Sequence, residues 1–169
     1  MPLNTVQYFL RDALDGLVLP LGLGNLTAFI SPPNPGDGMV PAVYVWGSNG
    51  SESRLSVPRA AHLNLASGGD KTLHHQADVW LVWFGSSEDP DVNTQFPAIL
   101  DKVMGALRNT RLVDGAQYVT DPVTGQASQL LAVAEEMSWE YAPVKAIVDQ
   151  RYLRYDARVT VTVIEVIQS

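Results

Sequence analysis

Apolar and polar residues alternate with a period of two near the end of the chain, in the segment 155–167. Its odd positions are mostly apolar and include Val159, Val161 and Val163, whereas threonines and an arginine fill several even positions. Such alternation in a run of β-branched residues is typical of a β-strand with one buried face. We expect this strand to bury its valines against helices, with each valine contributing roughly 1.5–3 kcal/mol before the entropy cost is subtracted.

Two segments show the apolar spacing of amphipathic helices. The first follows Asn4, the predicted N-cap, and ends near Gly16; its apolar face contains Val6, Leu10, Ala13, Leu14 and Leu17. The second has Asn93 or Thr94 as the predicted N-cap, and Pro97 fits its first turn. Its apolar face contains Phe96, Leu100, Val103 and Leu107.

Three further segments are predicted to form strands. Val40–Trp46 is β-branched and aromatic, and Pro41 near its start suits a strand beginning or an edge position. In the segment 74–87 one face is apolar throughout and the other becomes apolar towards Phe84, so we expect that end to be covered on both sides. The third strand, Ser128–Tyr141, is expected to pair with the last one. The minor elements are a short strand at Tyr118–Val119 and a helical turn at Pro143–Gln150.

The segment 47–72 has no sustained period of two or 3.6. Connections of this length are unusual inside a compact domain and are generally functional or disordered. We therefore predict a hairpin or loop arm that projects from the body, and we regard four of its side chains as candidate partner contacts: Arg54, Arg59, His62 and Lys71. The whole pattern favours an α+β fold over residues 1–169, a single domain whose antiparallel or mixed sheet carries two main helices on one face.

Composition limits the class of protein. A chain of 169 residues with 46% hydrophobic residues is long enough for one core. Its net charge of −7 argues against a surface that grips nucleic-acid phosphates. The absence of cysteine excludes disulfides and thiolate chemistry. The start lacks the pattern of a secretory signal, and prolines and glycines interrupt the uncharged stretch 16–36, so we expect neither secretion nor a membrane span.

Histidines and carboxylates offer only weak candidates for chemistry. A metal site would have to combine His62, His75 and Glu135, but His74 and His75 point to opposite faces of a strand, and ordinary semi-polar positions explain them better. A small hydrolase would need paired carboxylates, for which Glu135 and Glu165 are the candidates. Cross-strand ion pairs are the simpler explanation of these glutamates, with Arg151, Arg154 or Arg158 as partners. The sequence predicts no catalytic site, cofactor or metal.

Aromatic residues are more numerous on the predicted strands than two helices need to cover: Trp46, Trp80, Trp83, Trp139, Tyr141, Tyr152 and Tyr155. Core packing accounts for several of them. Because tryptophan, tyrosine and arginine are the residues that anchor protein interfaces, a subunit contact is the alternative explanation. Tyr152, Arg154 and Arg158 are the candidates for its rim.

The segments "HHQADVWLVWFGSSEDPDVNTQFPAILDKVMGALRNTRL" and "DPVTGQASQLLAVAEEMSWEYAPVKAIVDQRYLRYDARVTVTVIEVIQ" resemble, in order and spacing, the tail-terminator proteins of long-tailed bacteriophages, especially those that infect actinobacteria. The resemblance implies a small α+β domain that is not an enzyme. It implies a hexameric ring at the head-proximal end of the tail tube, which stops tube polymerisation and joins the tail to the neck. The arm at 47–72 matches the position of a hairpin that this family projects between subunits or rings.

The same resemblance implies the partners: further copies of the chain, the tail tube protein and the neck stopper protein. The protein would assemble in the host cytoplasm and end in the virion, and DNA would pass through the ring without specific binding, as the acidic composition also favours. A neighbouring neck component, either a stopper or a tail-completion factor, remains an alternative, because it would share the size, the charge and the absence of catalysis.

Overall fold

A mixed six-stranded sheet forms the centre of the protein in the computed structural model, which describes residues 3–33, 41–54, 71–110, 119–120, 127–128, 130–147 and 150–167. The helices are α1 (Leu3–Leu14) and α2 (Val92–Asn109), and a short 3-10 turn covers Pro20–Gly22. The strands are β1 (Thr27–Phe29), β2 (Ala42–Arg54), β3 (Lys71–Ser86), β4 (Val119–Thr120), β5 (Ala127–Ser128), β6 (Leu130–Tyr141), β7 (Lys145–Ile147) and β8 (Tyr152–Ile167).

The strands of the main sheet follow the order β1-β2-β3-β8-β6, and β7 pairs with β8 beyond the end of β6. Among the described strands of this sheet, β1 is parallel to β2 and the other pairs are antiparallel. The predicted pairing of the last strand with Ser128–Tyr141 is confirmed. The last strand is also paired with β3 along its whole length, so it is a central strand. Strands β4 and β5 form a separate two-stranded sheet.

Both helices pack on one face of the main sheet, as predicted, and we call this the helix face and the opposite side the open face. Val159, Val161 and Val163 are fully buried in the core on the helix face. The apolar stripe of α2 is confirmed and is wider than predicted, with seven buried residues: Val92, Phe96, Ile99, Leu100, Val103, Met104 and Leu107. Val82 on the open face is also fully buried, which confirms that this end of β3 is covered on both sides.

Both helices begin earlier than predicted. Helix α1 begins at Leu3, so Asn4 lies inside it and is not its N-cap. Helix α2 begins at Val92 with Asp91 as the N-cap residue, and the prediction of Asn93 or Thr94 was wrong. The reason is that Asp89 organises the preceding turn: one of its carboxylate oxygens accepts from the backbone N–H of Asp91 at 2.9 Å, and the other accepts from the side chain of Gln95 at 2.8 Å.

The segment 145–147 is a strand, and the prediction of a helical turn at Pro143–Gln150 was wrong. Strand β8 begins at Tyr152, five residues before its pairing with β6 begins at Ala157. Strand β7 occupies part of that edge, with Lys145 opposite Arg154. Gln150 has a positive φ of 66°, which lets the chain reverse into β8.

The connector 16–36 contributes one strand that the sequence pattern did not predict. Gly16, Gly22 and Gly24 adopt positive φ, a region that glycine enters without strain, and the chain closes on itself through a bridge between Val18 and Asn25. Residues 27–29 then pair with β2 as strand β1. Because these turns bring the chain back to the sheet edge, a three-residue strand forms in a segment without strand-like alternation.

Strand β2 is longer than the predicted Val40–Trp46 and continues to Arg54, which pairs with Lys71 of β3. Positions 47–54 and 71–72 of the predicted arm therefore belong to the main sheet, with an irregularity between Gly47 and Asn49. Residues 55–70, including Arg59 and His62, lie outside the described residues.

Gly85 supplies the sharpest steric test of this fold. An added Cβ would clash with Val92 Cγ2 and would lie 2.8 Å from Trp83 Cη2. We expect Gly85→Ala to lower the free energy of unfolding by about 1–3 kcal/mol, because overpacking forces neighbouring side chains and backbone to move. Urea unfolding followed by tryptophan fluorescence measures this change.

The matched control is Gly105→Ala, which lies within α2 and whose added Cβ meets nothing within 4 Å. This substitution is expected to raise stability by roughly 0.5–1 kcal/mol, because alanine restricts the unfolded chain and favours a helix. Equal effects of the two substitutions would contradict the close packing of α2 on the end of β3.

Candidate subunit interface

Large apolar side chains are exposed at two opposite edges of the main sheet. In the described part of the sheet, β1 forms one edge and β6 forms the other. Phe29 on β1 is 43% exposed and Trp46 on the neighbouring β2 is 47% exposed. Trp139 and Tyr141 on β6 are 49% and 53% exposed, and Val144 follows them in the chain. A single side chain of this kind needs no explanation, but two groups at opposite edges do.

The first group, Phe29 and Trp46, is called the β1-side patch. Phe29 pairs with Tyr44 in the sheet, and their rings stack with centroids 5.3 Å apart. Tyr44 pairs in turn with Trp80, whose neighbours Val79 and Leu81 are buried in the core. Because successive side chains on a strand point to opposite faces, Phe29, Tyr44 and Trp80 lie on the open face.

The second group, Trp139, Tyr141 and Val144, is called the β6-side patch. Trp139 pairs with Val159 and Tyr141 pairs with Ala157, and both partners are buried on the helix face. Trp139 and Tyr141 therefore lie on the helix face at the sheet edge. Tyr141 also contacts Phe96 of α2 edge-on, with ring centroids 6.0 Å apart. This contact leaves about half of Tyr141 exposed.

One cross-strand row connects the two edges on the open face. It runs from Phe29 through Tyr44, Trp80 and Arg158 to Glu140. Glu140 lies between Trp139 and Tyr141 in the chain, so the two patches lie at the same level along the strands. A contact between unlike patches of successive copies would therefore need little displacement along the strands.

Arg158 lies in the middle of this row and is held by charges and by an aromatic ring. It donates from Nη2 to Asp78 Oδ2 at 2.6 Å, and its Nη1 lies 3.5 Å from Glu140 Oε1. Its guanidinium carbon lies 5.5 Å from the centre of the Trp80 ring, within cation–π range. The hydrogen bond to Asp78 raises the pKa of Arg158, so the guanidinium remains charged.

Asp78 is buried and has a second partner, because Thr160 donates its hydroxyl to Asp78 Oδ1 at 2.9 Å. Arg154 is held in a similar way: it donates to both carboxylate oxygens of Asp156 and lies over the Phe84 ring at 5.7 Å. Arg154 and Arg158 thus form ion pairs mainly with aspartates. These contacts fix Arg154 and Arg158 as ordered parts of the open face. The predicted pairs with Glu135 or Glu165 lie outside the described side chains.

The structure brings together only some of the predicted contact residues. Tyr152, Arg154 and Arg158 occur along β8, and their register places them on one face. Arg54 and Lys71 face each other at the far end of the β2–β3 pair, many residues away from the patches. Sequence reasoning named the tryptophans and Tyr141 but missed Phe29. The only signal for it was an aromatic residue inside an uncharged connector.

The carboxylates proposed for a hydrolase occupy different positions along the sheet. Glu165 pairs with Leu131 of β6, and Glu135 lies four residues further along that strand, in the irregular stretch between Val133 and Met137. Because four residues of β6 span only two of β8 in this stretch, Glu135 lies near the level of position 162, about three residues or roughly 10 Å along β8 from Glu165. The backbone positions therefore offer no support for a paired-carboxylate centre.

Within the described residues, no group of three histidine, aspartate or glutamate side chains could hold a metal ion. Over the same part of the chain, no helix combines the length and the apolar character needed to cross a membrane. Comparison with known protein families and with curated proteins found no match to this chain. The candidate functional site consists of the two patches and the paired charges between them.

Proposed function

We propose that this chain is a structural virion protein that forms a hexameric ring at the head-proximal end of a phage tail tube. In this role it ends tube polymerisation and joins the tail to the neck through the tail tube protein and the neck stopper protein. The observation that carries the proposal is the pair of different apolar patches at opposite edges of one sheet. A ring needs such an arrangement, because each copy must offer unlike surfaces to its two neighbours.

Charge is consistent with this role. The net charge of −7 would keep DNA from adhering to the ring as it passes through the channel. The resemblance of residues 74–168 to tail-terminator proteins supports this assignment, and the edge patches offer a physical basis for ring formation. The protein would assemble in the host cytoplasm and remain in the finished virion.

The proposal predicts that the purified protein forms closed oligomers and limits tube growth. Size-exclusion chromatography with light scattering would measure the mass, and negative-stain images would measure tube lengths after the protein is added to polymerising tube protein. We expect rings in the first experiment and short tubes with a ring at one end in the second. A protein that remains monomeric at high concentration and leaves tube lengths unchanged would contradict the proposal, whereas a ring that binds only neck proteins would favour the stopper alternative.

A matched pair of substitutions separates the effect of the β6-side patch on assembly from the effect of net charge. Trp139→Glu places a charge in the β6-side patch and is expected to weaken self-association by 100-fold or more, on the order of 3 kcal/mol for a buried interface aromatic. Lys102→Gln makes the same change in net charge on the exposed surface of α2 and is expected to leave assembly intact. Equal effects of both variants would show that net charge, and not the patch, controls association.

A further inference from the structure

The two patches differ in the face of the sheet that they occupy. Phe29 and Trp46 lie on the open face at the β1 edge, because their register partners are Tyr44 and Asp78. Trp139 and Tyr141 lie on the helix face at the β6 edge. If both patches were on the same face, successive copies would have to turn over in order to join them. Opposite faces at opposite edges allow each copy to lie partly over the next one in the same orientation.

Resting on the proposed ring, we propose that neighbouring copies overlap sheet upon sheet. In this overlap, the β6-side patch on the helix face of one copy packs onto the β1-side patch on the open face of the next copy. Trp139 and Tyr141 then meet Phe29 and Trp46 across a layer of side chains, at the spacing of about 10 Å that separates packed sheets. The occupant of each patch is a second copy of this chain.

The distribution of charge favours a second copy as the occupant. Two chains that each carry a net charge of −7 repel one another unless they meet at neutral or complementary surfaces. On the β1 side, residues 27–33 and 41–51 contain no charged side chain, so the open face is uncharged at the β1-side patch. The carboxylate of Asp15 lies at the backbone edge of β1, where it accepts from the N–H of Ala28 at 3.0 Å. On β6 the carboxylate of Glu140 lies 3.5 Å from Arg158 on the open face, so Trp139 and Tyr141 make up an uncharged surface on the helix face.

The backbone at the edges favours packing of side chains over strand addition. Strand β1 has only three residues, and the edge that β2 continues beyond it is interrupted by an irregularity between Gly47 and Asn49. The opposite edge is irregular, since β6 shifts register between Val133 and Met137. Such irregularities interrupt the ladder that an added strand would need. An overlap of faces avoids this difficulty, because it uses the exposed aromatic side chains and needs no continuous edge.

Cysteine crosslinking tests this overlap, because the natural chain contains no cysteine. Thr27→Cys lies on the open face of β1, two residues from Phe29, and Val144→Cys lies within the β6-side patch, so both variants retain the aromatic side chains. A bismaleimide reagent with a reach of about 10 Å matches the distance between packed sheets. We expect the double variant to give a ladder of covalent oligomers that stops at the ring size.

The two single variants are expected to give covalent dimers when mixed and no crosslink when treated separately, because unlike patches meet. Thr27→Cys paired with Lys102→Cys on the exposed surface of α2 is the control and is expected to give no ladder. A ring that shows no crosslink between positions 27 and 144, or in which one position crosslinks with itself, would overturn the overlap while leaving the ring intact. A protein that remains monomeric, even with tube protein present, would overturn both proposals.

Discussion

Replacing Phe96 with alanine is expected to lower the free energy of unfolding by about 3–5 kcal/mol, the range for truncating a buried phenylalanine. Phe96 is 1% exposed and lies at the centre of an aromatic cluster. Its ring centroid lies 5.2 Å from that of Tyr155 and 6.5 Å from that of Trp83, and it also supports Tyr141 of the edge patch. Urea unfolding monitored by tryptophan fluorescence and by circular dichroism measures the loss.

The matched control is Phe29→Ala, which removes the same side chain from an exposed position. Phe29 is 43% exposed and stacks on Tyr44, so its loss is expected to cost less than about 1.5 kcal/mol, the upper range for an aromatic pair. In the proposed ring, however, Phe29→Ala is expected to weaken the association between copies, whereas Phe96→Ala is expected to destabilise the fold of each copy. A loss of stability in Phe29→Ala as large as in Phe96→Ala would contradict the placement of Phe29 at the sheet edge.

The aromatic cluster also fixes a polar contact between β8 and α2. The hydroxyl of Tyr155 donates to Asn93 Oδ1 at 2.6 Å. Burial raises the pKa of Tyr155, so the neutral hydroxyl is retained at the edge of the core. Asn93, which the sequence pattern indicated as an N-cap, therefore serves to connect the start of α2 with the central strand.

Strand faces were predictable from the sequence because the side-chain period of two survives in long central strands. Val159, Val161 and Val163 are buried because β8 has neighbours on both sides and helices on one face. The two helices were predictable because their apolar residues recur with the helical period of 3.6 residues. The first residue of α2 was not, because its cap depends on a local competition among several polar side chains around Asp89 and Asp91.

The short strands β1 and β7 were not predictable, because each forms only where a longer strand leaves part of its edge free. Residues 27–29 become a strand only because β2 presents a free edge, and residues 145–147 only because β8 extends past β6. Neither segment has the length or the alternation from which a strand is normally inferred. By contrast, β4 at Val119–Thr120 overlaps the short strand predicted at Tyr118–Val119.

The candidate site was predictable in composition but not in position. Alternation places Trp139 and Tyr141 on the apolar side of their strand, and this is correct. It does not reveal that the strand lies at an edge, where about half of each ring is exposed. Strand order determines exposure, and strand order follows from long-range pairing that no local pattern contains. The same limitation applies to Arg158, whose main partner, Asp78, is distant in sequence.

Asp78→Ala is expected to lower the free energy of unfolding by about 2–4 kcal/mol, which is somewhat below the usual cost of breaking a buried ion pair. Asp78 is 4% exposed and accepts hydrogen bonds from Arg158 and Thr160. Its removal leaves the guanidinium of Arg158 without its closest anion, and since the Arg158 side chain is 37% exposed, water recovers part of the loss.

Glu140→Ala is the matched control, because Glu140 is the second carboxylate partner of the same arginine. Its side chain is 70% exposed and lies 3.5 Å from Arg158, so its loss is expected to cost less than about 0.5 kcal/mol. In a double-mutant cycle, Asp78→Ala and Arg158→Ala together are expected to cost less than the sum of the single variants, because the second substitution removes the charge that the first leaves unpaired. Additive costs for Asp78 and Arg158, or equal costs for Asp78→Ala and Glu140→Ala, would show that the charges on the open face do not act as a coupled pair.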